Sequence, residues 1–411
     1  MLNVNMIEPE ANGKYVIKTP SFTSYFLPSQ QEVSALLDLP DSFRKMIPLI
    51  EYHSGIKLNV GRSSRAKMHT DGFAKPTFKK LISWFQQLPI SLNNAFSYSL
   101  LRKVIKAGHA NSNAITWFPF LNSVNNQNYN DEFVELLSFI EERANADCLM
   151  LTSYKAQVKK GDIDEKSLID NFTHQLPIWT QSSLIPDELF SDYGEILKLH
   201  LTDPTEAEKQ AYKLLPAFMA MRFDFYLAAI ANYEIGLALY IQRSGTEIDW
   251  DSFEGFMWPV IKVFAVSEES CHCFDAMLAH FKFILSKNDG EISWQKLASY
   301  IEINESGTAE ITLKDKQRHQ LNDWRRNENL PSDKKFRAFV EAAVKPLGHH
   351  SIEHILIYAR ISRGIDTLVS QTSRQFQGEH IFPAMADALS RYPEYLEYYK
   401  QQALLKQNVA A

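Results

Sequence analysis

Cysteine is almost missing from this chain: three residues in 411, Cys148, Cys271 and Cys273. An odd number cannot build a disulfide framework, and a reducing, cytoplasmic setting is the expectation. Glycine (15) and proline (17) are also scarce, which disfavours sandwiches, propellers and disordered chains, because each spends many residues on turns. A cationic excess is lacking as well. Lys and Arg total 43 against 49 Asp and Glu, a formal charge of −6, so any hold on nucleic acid or an anionic membrane must come from a local patch. Residues 1–13 carry Glu8 and Glu10 and no apolar run, unlike an export signal. The most apolar stretch, 223–241, is interrupted by Asp224, Asn232 and Glu234. A charge near a bilayer centre costs about 2.5 kcal/mol or more on insertion scales, so this stretch reads as a buried helix and no membrane partner is expected. Phosphate-loop, dinucleotide, nucleophile-elbow and kinase patterns are missing too. The balance therefore tips away from an enzyme, and no cofactor is expected.

What is present is apolar and helical. With 45% apolar and 12% aromatic residues, the chain can bury a large core across two or three domains. Lys14 to Lys18 suggests an opening strand. Helical spacing then runs through Val33, Leu36 and Leu37, through Met46 to Tyr52 with a break at Pro48, and through 78–85, 100–105, 133–140 and 149–158. Asp203-Pro204-Thr205 suits a boundary followed by a capped helix. Beyond it, 212–242 (broken at Pro216) and 253–286 read as a long antiparallel helical hairpin. Residues 302–311 suggest a small β-hairpin, and helices are expected over 314–324, 333–344, 351–375 and 383–406. The expected fold is mainly α, a multi-helix, two-lobed protein with at most small β-hairpins. Its domains would be 1–204 and 205–411.

One segment carries a family likeness. Leu321 and Trp324 stand three apart, Asn327 follows where a left-handed residue is needed, Pro331-Ser332 opens a further helix, and Phe336 and Phe339 supply its core face. With the Leu297-Ala298 pair, the region 294–345 resembles the helix-turn-helix of Cro-type phage repressors. The spacing from Leu297 to Leu321 is 24 residues, so the likeness implies an insertion between the two helices. It further implies a DNA-binding regulator, acting as a homodimer on paired half-sites. Gln317, Arg318 and Gln320, with His319 between them, would face the bases, since Arg suits guanine and Gln adenine. Arg325 and Arg326 would meet phosphates. Residues 312–345 carry +4 in a chain of −6.

A second basic run, 57–80, carries +6 and includes Arg62 and Arg65 in a Gly-Arg-Ser-Ser-Arg loop. Small residues there permit close approach to phosphate, although a solvated loop carries such charge equally well. Two rival readings remain. His350, Glu353 and His354 match the H-x-x-E-H spacing of a zinc site, while Glu234 with Glu269 and His272 forms half of a di-iron pattern, so a helical metalloenzyme is one alternative. A lone buried Glu234 is more commonly satisfied by hydrogen bonds within a bundle. Tyr392, Tyr395, Tyr398 and Tyr399 could instead line a protein-binding surface, or pack the last helix onto the core.

Overall fold

The computed structural model describes residues 7–9, 15–17, 23–39, 51, 55–61, 76, 79–80, 83–84, 87, 98–125, 131–266, 272–303, 312–345, 352–375 and 380–410. Mainly α is the fold observed. Strands β1 (Ile7–Pro9) and β2 (Tyr15–Ile17) form one antiparallel ladder, with Glu8 opposite Val16. The helices are α1 (Thr23–Phe26), α2 (Gln30–Leu36), α3 (Tyr98–Ala110), α4 (Ala114–Asn125), α5 (Val134–Lys160), α6 (Leu168–Ser182), α7 (Asp187–Thr202), α8 (Pro204–Gln210), α9 (Leu215–Arg243), α10 (Met257–Val266), α11 (Cys273–Asp289), α12 (Trp294–Ala298), α13 (Leu313–Arg325), α14 (Asp333–Val344), α15 (Ile352–Gln375), α16 (Ile381–Ser390) and α17 (Tyr392–Ala410).

The chain divides into two compact units, but not at residue 204. The first comprises Met1–Phe26, Asp131–Phe139 and Ile163–Ala411, the second Leu27–Asn130 and Ile140–Asp162. Asp203 starts a helix rather than a linker: its carboxylate accepts from Glu206 N, and α8 follows directly after α7 within the first unit.

In the first unit α9 is the axis. Its residues from Leu215 to Leu239 are buried almost all round, and each such Leu, Ile or Phe contributes about 1.5–3 kcal/mol through removal from water. Tyr212–Arg243 is long and apolar enough to cross a membrane, yet 78% of its most apolar window is covered by protein. Pro216 lies in the first turn of α9 and does not break it, because a helix start has no use for the missing N–H. The principal neighbours of α9 are α16, α17, α1 and, last, the turn Asp131–Phe133. Gly236 permits the last of these contacts, since a Cβ there would stand 2.4 Å from the Glu132 carbonyl oxygen.

The expected long hairpin with 253–286 is therefore corrected. That stretch holds two helices, α10 and α11, which pack on each other, while α10 also meets α16 and α11 meets α15. Apolar faces pair with whatever complementary face tertiary packing supplies, and here the C-terminal helices supply it. In the second unit, α3 and α4 pack together and α2 rests on α4. Trp117 Nε1 donates to Pro28 O at 2.7 Å and Asn113 Nδ2 to Leu27 O at 2.9 Å. The segments expected at 133–140 and 149–158 are one helix, α5. The expectations at Pro48, at 304–311 and over most of 57–80, including Arg62 and Arg65, lie outside the described residues.

Candidate functional site

The repressor-like segment is built locally as its residues require. Thr312 caps α13, its hydroxyl accepting from Asp315 N at 3.2 Å. Leu321 and Trp324 are buried on the inner face, and α13 ends where Asn327 takes φ +59°, followed by Asn329 at +45°. Asn tolerates this left-handed region best after Gly. Pro331 is buried just ahead of Ser332, which caps α14. Trp324 meets Phe339 edge-on at 5.4 Å, and Phe336 packs on Phe274 of α11 at 5.7 Å. The pair α13–α14 is thereby anchored to α11 by aromatic burial.

The outward chemistry differs from the expectation at several positions. Gln317 is buried, and its amide donates to Ser299 O at 3.1 Å and Ile301 O at 2.8 Å. It ties α13 to the end of α12 and has no edge to offer a base, because it stands four positions before Leu321 and seven before Trp324, on the buried face that the three share. Gln320 accepts from Lys335 Nζ at 2.7 Å. Arg325 is structural: its Nε donates to Asp275 Oδ1 at 2.7 Å, and its guanidinium stacks 3.9 Å above the Trp294 ring. Arg318 and Arg326 remain outward, 60% and 62% exposed, with their nearest carboxylates at 3.7 Å (Asp315) and 4.0 Å (Glu328).

Neither metal set is assembled from the described residues. Glu353 is held by Arg337 through two hydrogen bonds of 2.6 and 2.9 Å, which keep its carboxyl below the ordinary range. His354 points elsewhere, its Nδ1 3.2 Å from the Tyr233 hydroxyl and its Nε2 3.8 Å from Glu132. His350 and Glu269 lie outside the described residues. His272 stands 3.9 Å from Asp366. Among the described residues no group of three or more His, Cys, Asp or Glu side chains could hold a metal ion.

Glu234 is instead the centre of a buried hydrogen-bond network. Its Oε1 accepts from Phe256 N and Met257 N, both at 2.7 Å, and its Oε2 accepts from the Tyr392 hydroxyl at 2.5 Å; Tyr358 adds a further phenol. The carboxylate thus serves as the cap of α10 from a different helix. Gly255 makes room: it has φ +69°, and a Cβ there would lie 2.1 Å from Oε2. Burial outweighs these donors and pushes the Glu234 carboxyl up to about 7. Two other buried acids follow the same plan. Asp366 accepts from Cys273 N at 2.7 Å and Phe274 N at 3.1 Å, capping α11, and is pushed up to about 6 by burial. Asp224 accepts from the Tyr395 hydroxyl at 2.8 Å. Tyr392 and Tyr395 are therefore interior ligands of carboxylates rather than parts of a docking surface, whereas Tyr398 is 42% exposed.

The second unit contains a site that motif reading missed. Ser99, Arg102, Lys103, Ile105, Lys106, His109 and Ala110 of α3, with Thr152 and Lys155 of α5, line a pocket of about 790 Å³. Most of the α3 residues recur at three- and four-residue steps, so they share a face. Lys155 Nζ donates to His109 O at 2.8 Å, and Lys103 pairs with Glu141 at 3.1 Å. The sequence carries a signal for it, since four cationic or potentially cationic residues recur within Arg102 to His109, but helical spacing over 100–105 reveals only an apolar face. Compared with known protein families, curated proteins and solved structures, the chain gives no match.

Proposed function

We propose that the protein is a DNA-binding regulator that meets the duplex through the outer face of α13 and the turn that follows it. The observation supporting this reading is the turn itself: Asn327 in the left-handed region, Ser332 capping the next helix, and Leu321, Trp324, Phe336 and Phe339 all inward, while Arg318 and Arg326 stay in solvent. Lys314 and His319 are exposed alongside them. In this reading Arg318 takes the base or phosphate contact at the centre of the helix, and Arg326 grips the backbone at its end. Gln317, Gln320 and Arg325 hold the element in shape. Action as a homodimer in the cytoplasm belongs to the same proposal.

The test is recovery of fragments from a genomic DNA pool at two salt concentrations, with an Arg318→Ala/Arg326→Ala variant alongside. Enrichment of a discrete sequence by the wild type, with affinity reduced about tenfold and the salt slope about two units shallower in the variant, is the expected result. Equal, weak retention of both proteins would overturn the reading.

A further inference from the structure

The two compact units carry opposite charge. Residues of the second unit sum to +7, which leaves −13 for the first. Four of the second unit's cations share the pocket between α3 and α5. Arg102, Lys103, Lys106 and Lys155 line it with His109, and no acidic side chain is among the lining residues. A solvated helix normally spreads its cations outward or alternates them with acids. Here four of them line one concavity. Glu141 pairs with Lys103, but both side chains are over 40% exposed, so this ion pair holds Lys103 only weakly.

The lysines are also positioned. The bond from Lys155 Nζ to the His109 carbonyl fixes the ammonium at the C-terminal end of α3 and leaves it further donors. Ser99 and Thr152 contribute hydroxyls, and Ile105, half exposed, contributes an apolar wall. The volume lies within the range of pockets for organic ligands, about 300–1,000 Å³.

We infer that this pocket binds a phosphate-bearing anion, with Arg102, Lys103, Lys106 and Lys155 supplying charge-assisted hydrogen bonds to the phosphate oxygens and Ile105 contacting an apolar portion. The shared chemistry is the phosphate group, carried either by a small phosphorylated molecule or by a nucleic-acid backbone. The inference stands independently of the α13 reading, which concerns the other unit.

Calorimetric titration of the full chain with inorganic pyrophosphate at constant ionic strength tests it. The expected result is saturable binding that also raises the unfolding temperature. Lys106→Gln/Lys155→Gln should weaken binding at least tenfold, while Lys106→Arg retains it. Absence of saturable binding or of a thermal shift in the wild type overturns the inference without reference to any variant. Equal affinity of wild type and double variant overturns it as well. A short duplex added to the pyrophosphate complex separates the two sources. Displacement that survives Arg318→Ala/Arg326→Ala assigns the pocket to nucleic-acid phosphate, and lack of displacement assigns it to a small phosphorylated ligand.

Discussion

The two units differ in how they place charge. The first unit, strongly acidic, takes Glu234, Asp366 and Asp224 into its interior and answers each with backbone N–H groups or a phenol. The second, strongly basic, also buries Asp147 and Arg143, but it lines a surface concavity with four cations and no acid. Interior carboxyls answered by fixed donors bind helices together, whereas the cations at the concavity sit at the surface. Even within the basic residues the contrast holds. Arg325 and Arg337 are engaged by Asp275 and Glu353, so their number in the sequence says little about their availability.

The largest effect that would break this comparison is at Glu234. Glu234→Ala should cost about 3–5 kcal/mol in urea unfolding, because it leaves two N–H groups and buried phenols without their acceptor and opens a cavity. Glu234→Gln keeps the size and an acceptor, and should be near neutral at pH 8. A cost for Gln as large as that for Ala would mean the charge itself is required.

Next comes the pH dependence. Glu234, Asp366 and, in the second unit, buried Asp147 all have carboxyls raised by burial, to about 7, 6 and 7. A folded-state value above the unfolded one means that the native state binds protons more tightly. Stability is therefore greatest below about pH 4 to 4.5 as far as these groups are concerned, and falls as pH rises toward 7, levelling off above it. Glu234 alone accounts for roughly 3 kcal/mol of that fall. Urea midpoints at pH 5 and pH 8 should show it, with a flatter profile in Glu234→Gln.

Smaller effects sharpen the contrast among the basic residues. Arg325→Ala should destabilise by about 1–2 kcal/mol through loss of its hydrogen bond to Asp275 and its stack on Trp294, whereas Arg318→Ala should change stability by less than about 0.5 kcal/mol. Smallest of all, Lys106→Gln should leave the ligand-free protein equally stable or up to about 0.5 kcal/mol more so, a gain that disappears at 1 M salt. A clear loss of stability there would make Lys106 a structural residue.

Much of the fold was legible. The apolar run of α9, the scarcity of turn residues, and the Asn327 and Ser332 signals all have local causes, and they led to the expected helices and turn, except that Pro216 opens α9 instead of breaking it. The partners of α9 were not legible, because an apolar face specifies that it will be covered but not by which helix. The same limit hid the role of Gln317. Its spacing from Leu321 places it toward the inside, yet its chemistry suggested a base contact, and only the ends of α12 reveal what it bonds. Glu234 illustrates the intermediate case: burial and satisfaction within the bundle followed from its setting, while Tyr392, 158 positions later, could come only from packing.

By itself, then, the sequence determined the helical class, the internal character of α9 and the left-handed turn after α13, since these follow from periodicity, solvation and steric limits within a few residues. Tertiary structure decided which carboxylates cap which helices, which arginines are already engaged, and that four strong cations share one pocket. These depend on groups distant in sequence meeting in space, where burial and mutual charge set their energies.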